Sequence, residues 1–370
     1  MSSVLRAPFP WFGGKSRAAD LIWKRLGDVR NYCEPFAGSL AVLLARPTEP
    51  KIETVNDLDC YLANFWRAVA WPEPVECERR RMLIAEEVAR WCDWPVNEAD
   101  LHARHKWLLA REEFRTRMRC DPEFFDPKIA GWWVWGLCAW IGSGWCSVKG
   151  ASTAQVRHLS GAGQGIHGAR FYAPPEKLPM LAKGARGVLS ARTLGPSEQL
   201  PHLWNAGRGA NASTVGQGDI TANIIAVMNQ LHARLRRVRV ACGDWIRILS
   251  PAVTTDHGLT GVLLDPPYSE GADDLYANHD KELSTKVRQW AIEHGDHPRL
   301  RIALCGYEGE HQMPDSWTCV AWKAQGGYGS DNGNPYRERI WFSPHCLRPE
   351  SPKQYSLFGL STPGGSHECP

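Results

Sequence analysis

The chain has 370 residues, 43% of them hydrophobic and 22% charged, with a formal net charge of +3. That length accommodates one main domain with a sizeable insertion, and so small a net charge excludes a protein that coats polyanions with its whole surface. A nucleic-acid surface, if present, must be local. No apolar stretch is long and clean enough to span a bilayer, and the first residues lack the charged-then-apolar pattern of a signal peptide, so a cytoplasmic protein is expected. The 12 cysteines form no Cys-x-x-Cys pair and sit in apolar stretches such as Leu137-Cys138-Ala139. They read as reduced core residues, with no zinc site. The 18 tryptophans suit either a core or base stacking, and abundance does not say which.

The first patterned stretch is Phe9-Pro10-Trp11-Phe12-Gly13-Gly14-Lys15-Ser16. Gly13 and Gly14 permit a tight turn and a close backbone approach to a ligand, Trp11 offers an apolar wall, and Lys15 brings a positive charge that could pair with a ligand carboxylate. Gly-Lys-Ser also ends a phosphate loop, but that motif needs a glycine where Phe9 stands and a strand before it, so nucleotide hydrolysis is excluded. Tyr32-Cys33-Glu34-Pro35-Phe36-Ala37-Gly38-Ser39, followed by apolar Leu40 to Leu44, reads as strand, glycine turn and helix. A single glycine is too few for a dinucleotide fingerprint, which argues against NAD. Thr54-Val55-Asn56-Asp57-Leu58-Asp59 ends a second strand in acids, where a ribose partner usually stands. Tyr61 to Ala70 then carries Leu62, Phe65, Trp66 and Val69 at core helical spacing.

Residues 72–130 read as helical and charged. Arg79-Arg80-Arg81, Arg104-His105-Lys106-Trp107 and Arg111 to Arg119 offer basic faces, read either as solvated helix surface or as phosphate contacts. The tryptophans of 131–144 are expected mostly in the core, with Trp145 and Lys149 as duplex-facing candidates. Residues 150–218 are rich in Gly, Ala, Ser and Pro and show no sustained period, a pattern of functional or DNA-ordered segments. Asp219 is expected to cap a helix ending in Arg234, Arg236, Arg237 and Arg239, a further source of phosphate contacts. The strand Val238 to Cys242 delivers Gly243-Asp244-Trp245, an acid and an indole suited to holding an adenine.

Val262-Leu263-Leu264-Asp265-Pro266-Pro267-Tyr268 is a buried strand stopped by two prolines, neither of which can donate to a sheet ladder. Asp265 and the Pro266 carbonyl are two acceptors, the latter stiffened by Pro267, and Tyr268 supplies a flat face. Together they suit the exocyclic amino group of a nucleobase. Thr285 to Glu293 reads as a helix and Arg301 to Cys305 as a strand. Val320 to Lys323 and Arg339 to Phe342 read as a terminal hairpin.

Taken together, Phe-x-Trp-x-Gly-Gly-Lys, Glu-Pro-Phe-x-Gly, Asn-Asp-x-Asp and Asp-Pro-Pro-Tyr, in this order, resemble the Dam-type, α-group family of adenine-N6 DNA methyltransferases. The resemblance covers residues 9–66 and about 219–345. It implies an α/β fold, the Rossmann-like class I methyltransferase sheet, with a helical and irregular target-recognition insertion. On this reading residues 1–72 and 219–346 form the catalytic domain, 73–218 the insertion and 347–370 a tail. The implied S-adenosylmethionine site comprises Trp11, Gly13, Lys15, Glu34, Phe36, Gly38, Asp57, Asp244 and Asp265. The implied catalytic tetrad is Asp265, Pro266, Pro267 and Tyr268, acting on double-stranded DNA without a metal. Asn is absent from 131–149, where the family reaches its bases, so no base contact carries over and the recognised sequence stays open. Cytosine-N4 methylation and a catalytically silent DNA-binding protein are the alternatives. In the tail, Gln354-Tyr355-Ser356-Leu357-Phe358 is similar to the peptide with which bacterial DNA enzymes bind the replication sliding clamp.

Overall fold

A computed structural model describes residues 5–11, 13–77, 80–93, 96, 98–140, 145–146, 220–268, 282–323 and 337–349. In chain order the first elements are α1 (Ala19–Leu26), β1 (Asn31–Glu34), α2 (Ala41–Leu44), β2 (Ile52–Asp57) and α3 (Cys60–Ala70). A hairpin of β3 (Pro74–Cys77) and β4 (Arg80–Leu83) leads into α4 (Ile84–Cys92), α5 (Glu98–Leu109), α6 (Glu112–Cys120) and α7 (Pro127–Ala139). After it come α8 (Ile220–Leu235), β5 (Val238–Cys242), β6 (Thr260–Leu264), α9 (Leu283–His294), β7 (Leu300–Tyr307), β8 (Thr318–Ala321) and β9 (Glu338–Phe342).

Seven strands form one sheet in the order β5-β2-β1-β6-β7-β9-β8. The first five are parallel, and β9 runs against both its neighbours. From β1 the chain steps outward to β2 and β5, then returns to the other side of β1 with β6 and β7. The order reverses between β1 and β6, so the crevice at their carboxyl ends is the ligand position of an open α/β sheet.

Strand side chains alternate between two faces, and both faces are covered. Leu263, Ala303 and Cys305 point into a core shared with α1, α3, α4, α7 and α8. Val262, Leu264, Ile302 and Leu304 point the other way, against Val287, Trp290 and Ala291 of α9. The strand β6 therefore ends in the unbroken apolar run Val262 to Leu264. The burial of every residue of β6 is the physical basis of that pattern.

On the larger face the helices lie two deep, with α4 and α7 packed over α3 and α8. α7 is apolar around most of its circumference, as a helix buried on all sides must be. Phe9, Phe65, Trp66 and Trp133 meet edge-on or tilted at its centre, with ring centroids 4.9–6.1 Å apart. The Asp126 side chain caps α7 through the Ile129 N–H, and Pro127 sits at its first turn, where no N–H is needed.

The structure corrects four expectations outside the motifs. Pro74–Cys77 and Arg80–Leu83 pair as a hairpin, and Pro72 and Pro74 hold the residues before them, Trp71 and Glu73, away from helical backbone. Trp145 is buried and its indole N–H donates to the Trp133 carbonyl at 2.9 Å, so it does not face a duplex. Arg104 is sandwiched by Trp132 and Trp135, and His105 stacks on Trp145 while accepting the Cys146 N–H; neither belongs to an outer basic face. Arg234 is held by both oxygens of buried Glu53, at 2.6 and 2.8 Å, and by the Leu43 carbonyl, so it locks α8 to β2 and has no reach for a phosphate. Asp219, Lys149, residues 150–218 and the peptide Gln354–Phe358 lie outside the described residues.

Candidate active site

The carboxyl edge of the sheet carries an acid at nearly every parallel strand: Glu34 ends β1, Asp57 ends β2, Asp244 follows β5 and Asp265 follows β6. Asn56 ties three of these tips together. Its amide N–H2 donates to the Pro35 carbonyl at 3.1 Å and to the Gly243 carbonyl at 3.0 Å.

The glycine turn after β1 is shaped by two contacts. Gly38 has φ +46°, and a Cβ there would stand 2.7 Å from the Trp11 indole nitrogen. Its N–H donates to Asp57 at 3.1 Å, and its carbonyl accepts the Trp66 indole N–H at 2.9 Å. Only glycine both tolerates that backbone and admits Trp11. The other oxygen of Asp57 accepts the Asp59 N–H at 2.9 Å, and Asp59 in turn caps α3. Burial, opposed by the backbone donors, pushes the Asp57 carboxyl up to about 7.

Lys15 lies at the centre. It is 4% exposed, its ammonium donates to the Gly13 carbonyl at 2.9 Å, and it pairs with Asp265 Oδ1 at 2.8 Å. Gly13 reaches it from a left-handed turn at φ +73°. Burial works against the charged ammonium, but Asp265, Cys305 and Glu338 outweigh it and leave Lys15 above the ordinary lysine value. The same ammonium stands 5.2 Å from the Tyr268 ring centre. The sequence reading offers Lys15 to a ligand carboxylate; the structure places it on Asp265.

Pro266 is buried, Pro267 and Tyr268 are half-buried, and the Tyr268 hydroxyl reaches both Asp265 Oδ1 at 3.3 Å and Glu338 Oε2 at 2.9 Å. Tyr307, at the end of β7, meets Tyr268 edge-on with centroids 4.6 Å apart. Phe36 stacks near-parallel on Trp245, 6.1 Å between centroids, forming a flat wall at the tips of β1 and β5. Asp244 is exposed and caps the following 3-10 turn through the Ile246 N–H; it stands on the same edge without a direct contact to the Lys15 cluster.

Glu338 is the residue that sequence reading missed. It opens β9, and only because β9 is reversed does an amino end arrive at the carboxyl edge of the parallel strands. A charged residue at the start of the second strand of the expected terminal hairpin was the available signal. Tyr307, at the tip of β7, was open to the rule that strand ends carry the site.

The residues present fit a bound cofactor. Glu34 is 3% exposed and its Oε2 has no hydrogen-bond partner among the described residues. Burial foremost, then neighbouring Asp265 and Glu53, raise its carboxyl well above the usual range. A buried acceptor left bare is costly unless a ligand supplies a donor. Among the described residues no three His, Cys, Asp or Glu side chains are arranged to hold a metal ion, and none of the helices is long and apolar enough to cross a membrane.

A mostly parallel seven-stranded sheet with one reversed strand, covered on both faces and edged with acids at its carboxyl end, is the Rossmann-like methyltransferase fold. Residues 11–90, which include Trp11, Lys15 and the first two sheet strands, match the family described as D12 class N6 adenine-specific DNA methyltransferase. That domain is consistent with the Dam-type resemblance of the four motifs. Comparison with curated proteins gives no match.

Proposed function

We propose that the protein transfers a methyl group from S-adenosylmethionine to the N6 amino group of adenine in double-stranded DNA. The observation that carries this reading is the Lys15–Asp265–Tyr268 cluster at the switch point of the sheet, inside a chain whose residues 11–90 match the adenine-N6 family. When bound, the cofactor supplies an electrophilic methyl group on a sulfonium. Glu34, Asp57, Phe36, Trp11 and Asp244 would hold it: Glu34 and Asp57 as acceptors, Phe36 and Trp11 as apolar walls, Asp244 at the rim.

An adenine in a duplex must leave the stack for its amino group to be reached, at a cost of a few kcal/mol. Tyr268 offers the stacking face that offsets part of this, about 1–3 kcal/mol per base–aromatic contact. Lys15 occupies Asp265 Oδ1, which fixes the carboxylate and leaves Oδ2 for one amino proton. The Pro266 carbonyl takes the other. With both protons held, the nitrogen lone pair leaves conjugation with the ring and aims along the line of displacement, so orientation supplies most of the acceleration. The step proposed needs no covalent enzyme intermediate.

Expression in a methylation-free bacterium, followed by sequencing that reports modified bases, tests the reading. N6-methyladenine in a defined context supports it, whereas N4-methylcytosine or unmodified DNA overturns it. The informative active-site variant is Asp265→Asn. Alanine would strip the buried Lys15 ammonium of its partner and confound folding with chemistry. Asparagine keeps the shape and an oxygen to accept from Lys15 but loses the charge, so methyl transfer is expected to fall at least about a hundredfold, with cofactor binding by calorimetry showing that the variant is folded.

The finer partners follow the same reading. The enzyme works inside a bacterial or phage-infected cell, and Gln354–Phe358 docks on the sliding clamp. Deleting residues 350–370 should abolish co-elution with the clamp while sparing methyl transfer; unchanged co-elution rejects the docking.

A further inference from the structure

Tyr268 has one hydroxyl proton and two carboxylates within reach of it. Glu338 Oε2 is the nearer at 2.9 Å, and Asp265 Oδ1 is at 3.3 Å while already holding the Lys15 ammonium. Glu338 is 6% exposed, and it stands directly across the β7–β9 ladder from Tyr307, whose ring packs edge-on against Tyr268. Its position is fixed by the backbone, since strand partners on one face of an antiparallel pair are neighbours. The next residue, Arg339, donates to the Glu338 carbonyl at 3.0 Å and pairs with Glu308 at 2.7 Å, which anchors the start of the strand.

We propose that Glu338 is a positioning residue for the base-binding tyrosine: it accepts the hydrogen bond of the Tyr268 hydroxyl, fixes the ring as the stacking face, and keeps that hydroxyl off Asp265. The inference rests on the methyl-transfer reading above and deepens it, by assigning to the reversed terminal strand a part in base binding. A carboxylate has a limited set of lone-pair sites. With Glu338 absent, the hydroxyl turns to Asp265 Oδ1 and competes there with the Lys15 ammonium that fixes the carboxylate for the base. With Glu338 present, Asp265 faces Lys15 on one oxygen and the base on the other. Tyr307 closes the remaining side, so the Tyr268 ring is held at its tip and at its edge.

The test is a double-mutant cycle on the full-length protein, measuring methyl transfer from labelled cofactor to bulk DNA alongside cofactor affinity by calorimetry. Glu338→Leu and Tyr268→Phe are each expected to lower kcat roughly tenfold, the size of one lost positioning hydrogen bond, with cofactor affinity held within about twofold. The double variant should be no worse than the weaker single. Glu338→Gln, whose amide oxygen still accepts the hydroxyl, should recover most of the rate. Additive losses in the double variant overturn the inference. So does a Glu338→Gln variant that binds cofactor normally yet is as slow as Glu338→Leu, because charge rather than the hydrogen bond would then be at work. Should Glu338→Leu fail to fold, Glu338→Ala takes its place in the cycle as the variant without an acceptor, and the same outcomes uphold or overturn the inference. A wild-type protein that does not methylate DNA refutes the underlying function, whereas an active wild type with unaffected variants refutes only the role of Glu338.

Discussion

On the proposed function, Asp57 is a single carboxyl that couples the fold to the cofactor. In the folded chain it keeps its proton up to about 7, against an ordinary value of 3.8. Folding therefore takes up a proton between those values, so the stability this group contributes is complete below about 3.8 and is lost as pH rises through about 7. A ribose hydroxyl donating to Asp57 prefers the ionised form, which reverses the dependence for binding. Cofactor affinity should rise with pH across that midpoint, and binding on its acidic side should release a proton. Calorimetry in two buffers of different ionisation enthalpy reads that proton directly, and Asp57→Asn should abolish the release. If the wild type releases no proton, Asp57 does not meet the ligand. Sequence alone placed Asp57 at a strand tip; it could not show that the carboxyl is buried, which raises its value, or that Gly38 and Asp59 donate to its two oxygens, which limits the rise.

At the level of elements, β6 was legible because burial on both faces writes its end as a continuous apolar run. The expected strand Val238 to Cys242 and the strand before the two prolines are found as β5 and β6. The terminal antiparallel pair is found as β8 and β9. Misreadings cluster where charge was taken for surface. Arg234 sits in a run of arginines at a helix end, a pattern shared by phosphate contacts and by helix–sheet clamps, and only the three-dimensional neighbour Glu53 separates the two. Arg234→Ala leaves Glu53 with Arg46 alone, at 3.3 Å. The loss should be about 3 kcal/mol, the low end for breaking a buried pair, with the salt dependence of DNA binding unchanged. Urea denaturation and binding at two salt concentrations measure both halves of that expectation. The hairpin of β3 and β4 was hidden for a different reason: its arginines gave no alternation of apolar and polar residues.

For the whole molecule, the candidate site is assembled from the two ends of the described chain. Lys15 comes from the segment before α1, Asp265 and Tyr268 from the end of β6, and Glu338 from β9, the last strand. Sequence reading recovered the first three through their motifs. It missed Glu338 because a strand reversal brings it there and no motif marks it. The reversal also carries a consequence for biosynthesis. Until the ribosome has extended the polypeptide through β9 the Tyr268 hydroxyl lacks Glu338, so a product that stops before residue 338 should methylate more slowly than the full chain. Two fragments divided inside 150–218 and made separately should each be silent and should regain methylation on mixing. Activity in either fragment alone would show that the site does not need residues from both parts of the chain.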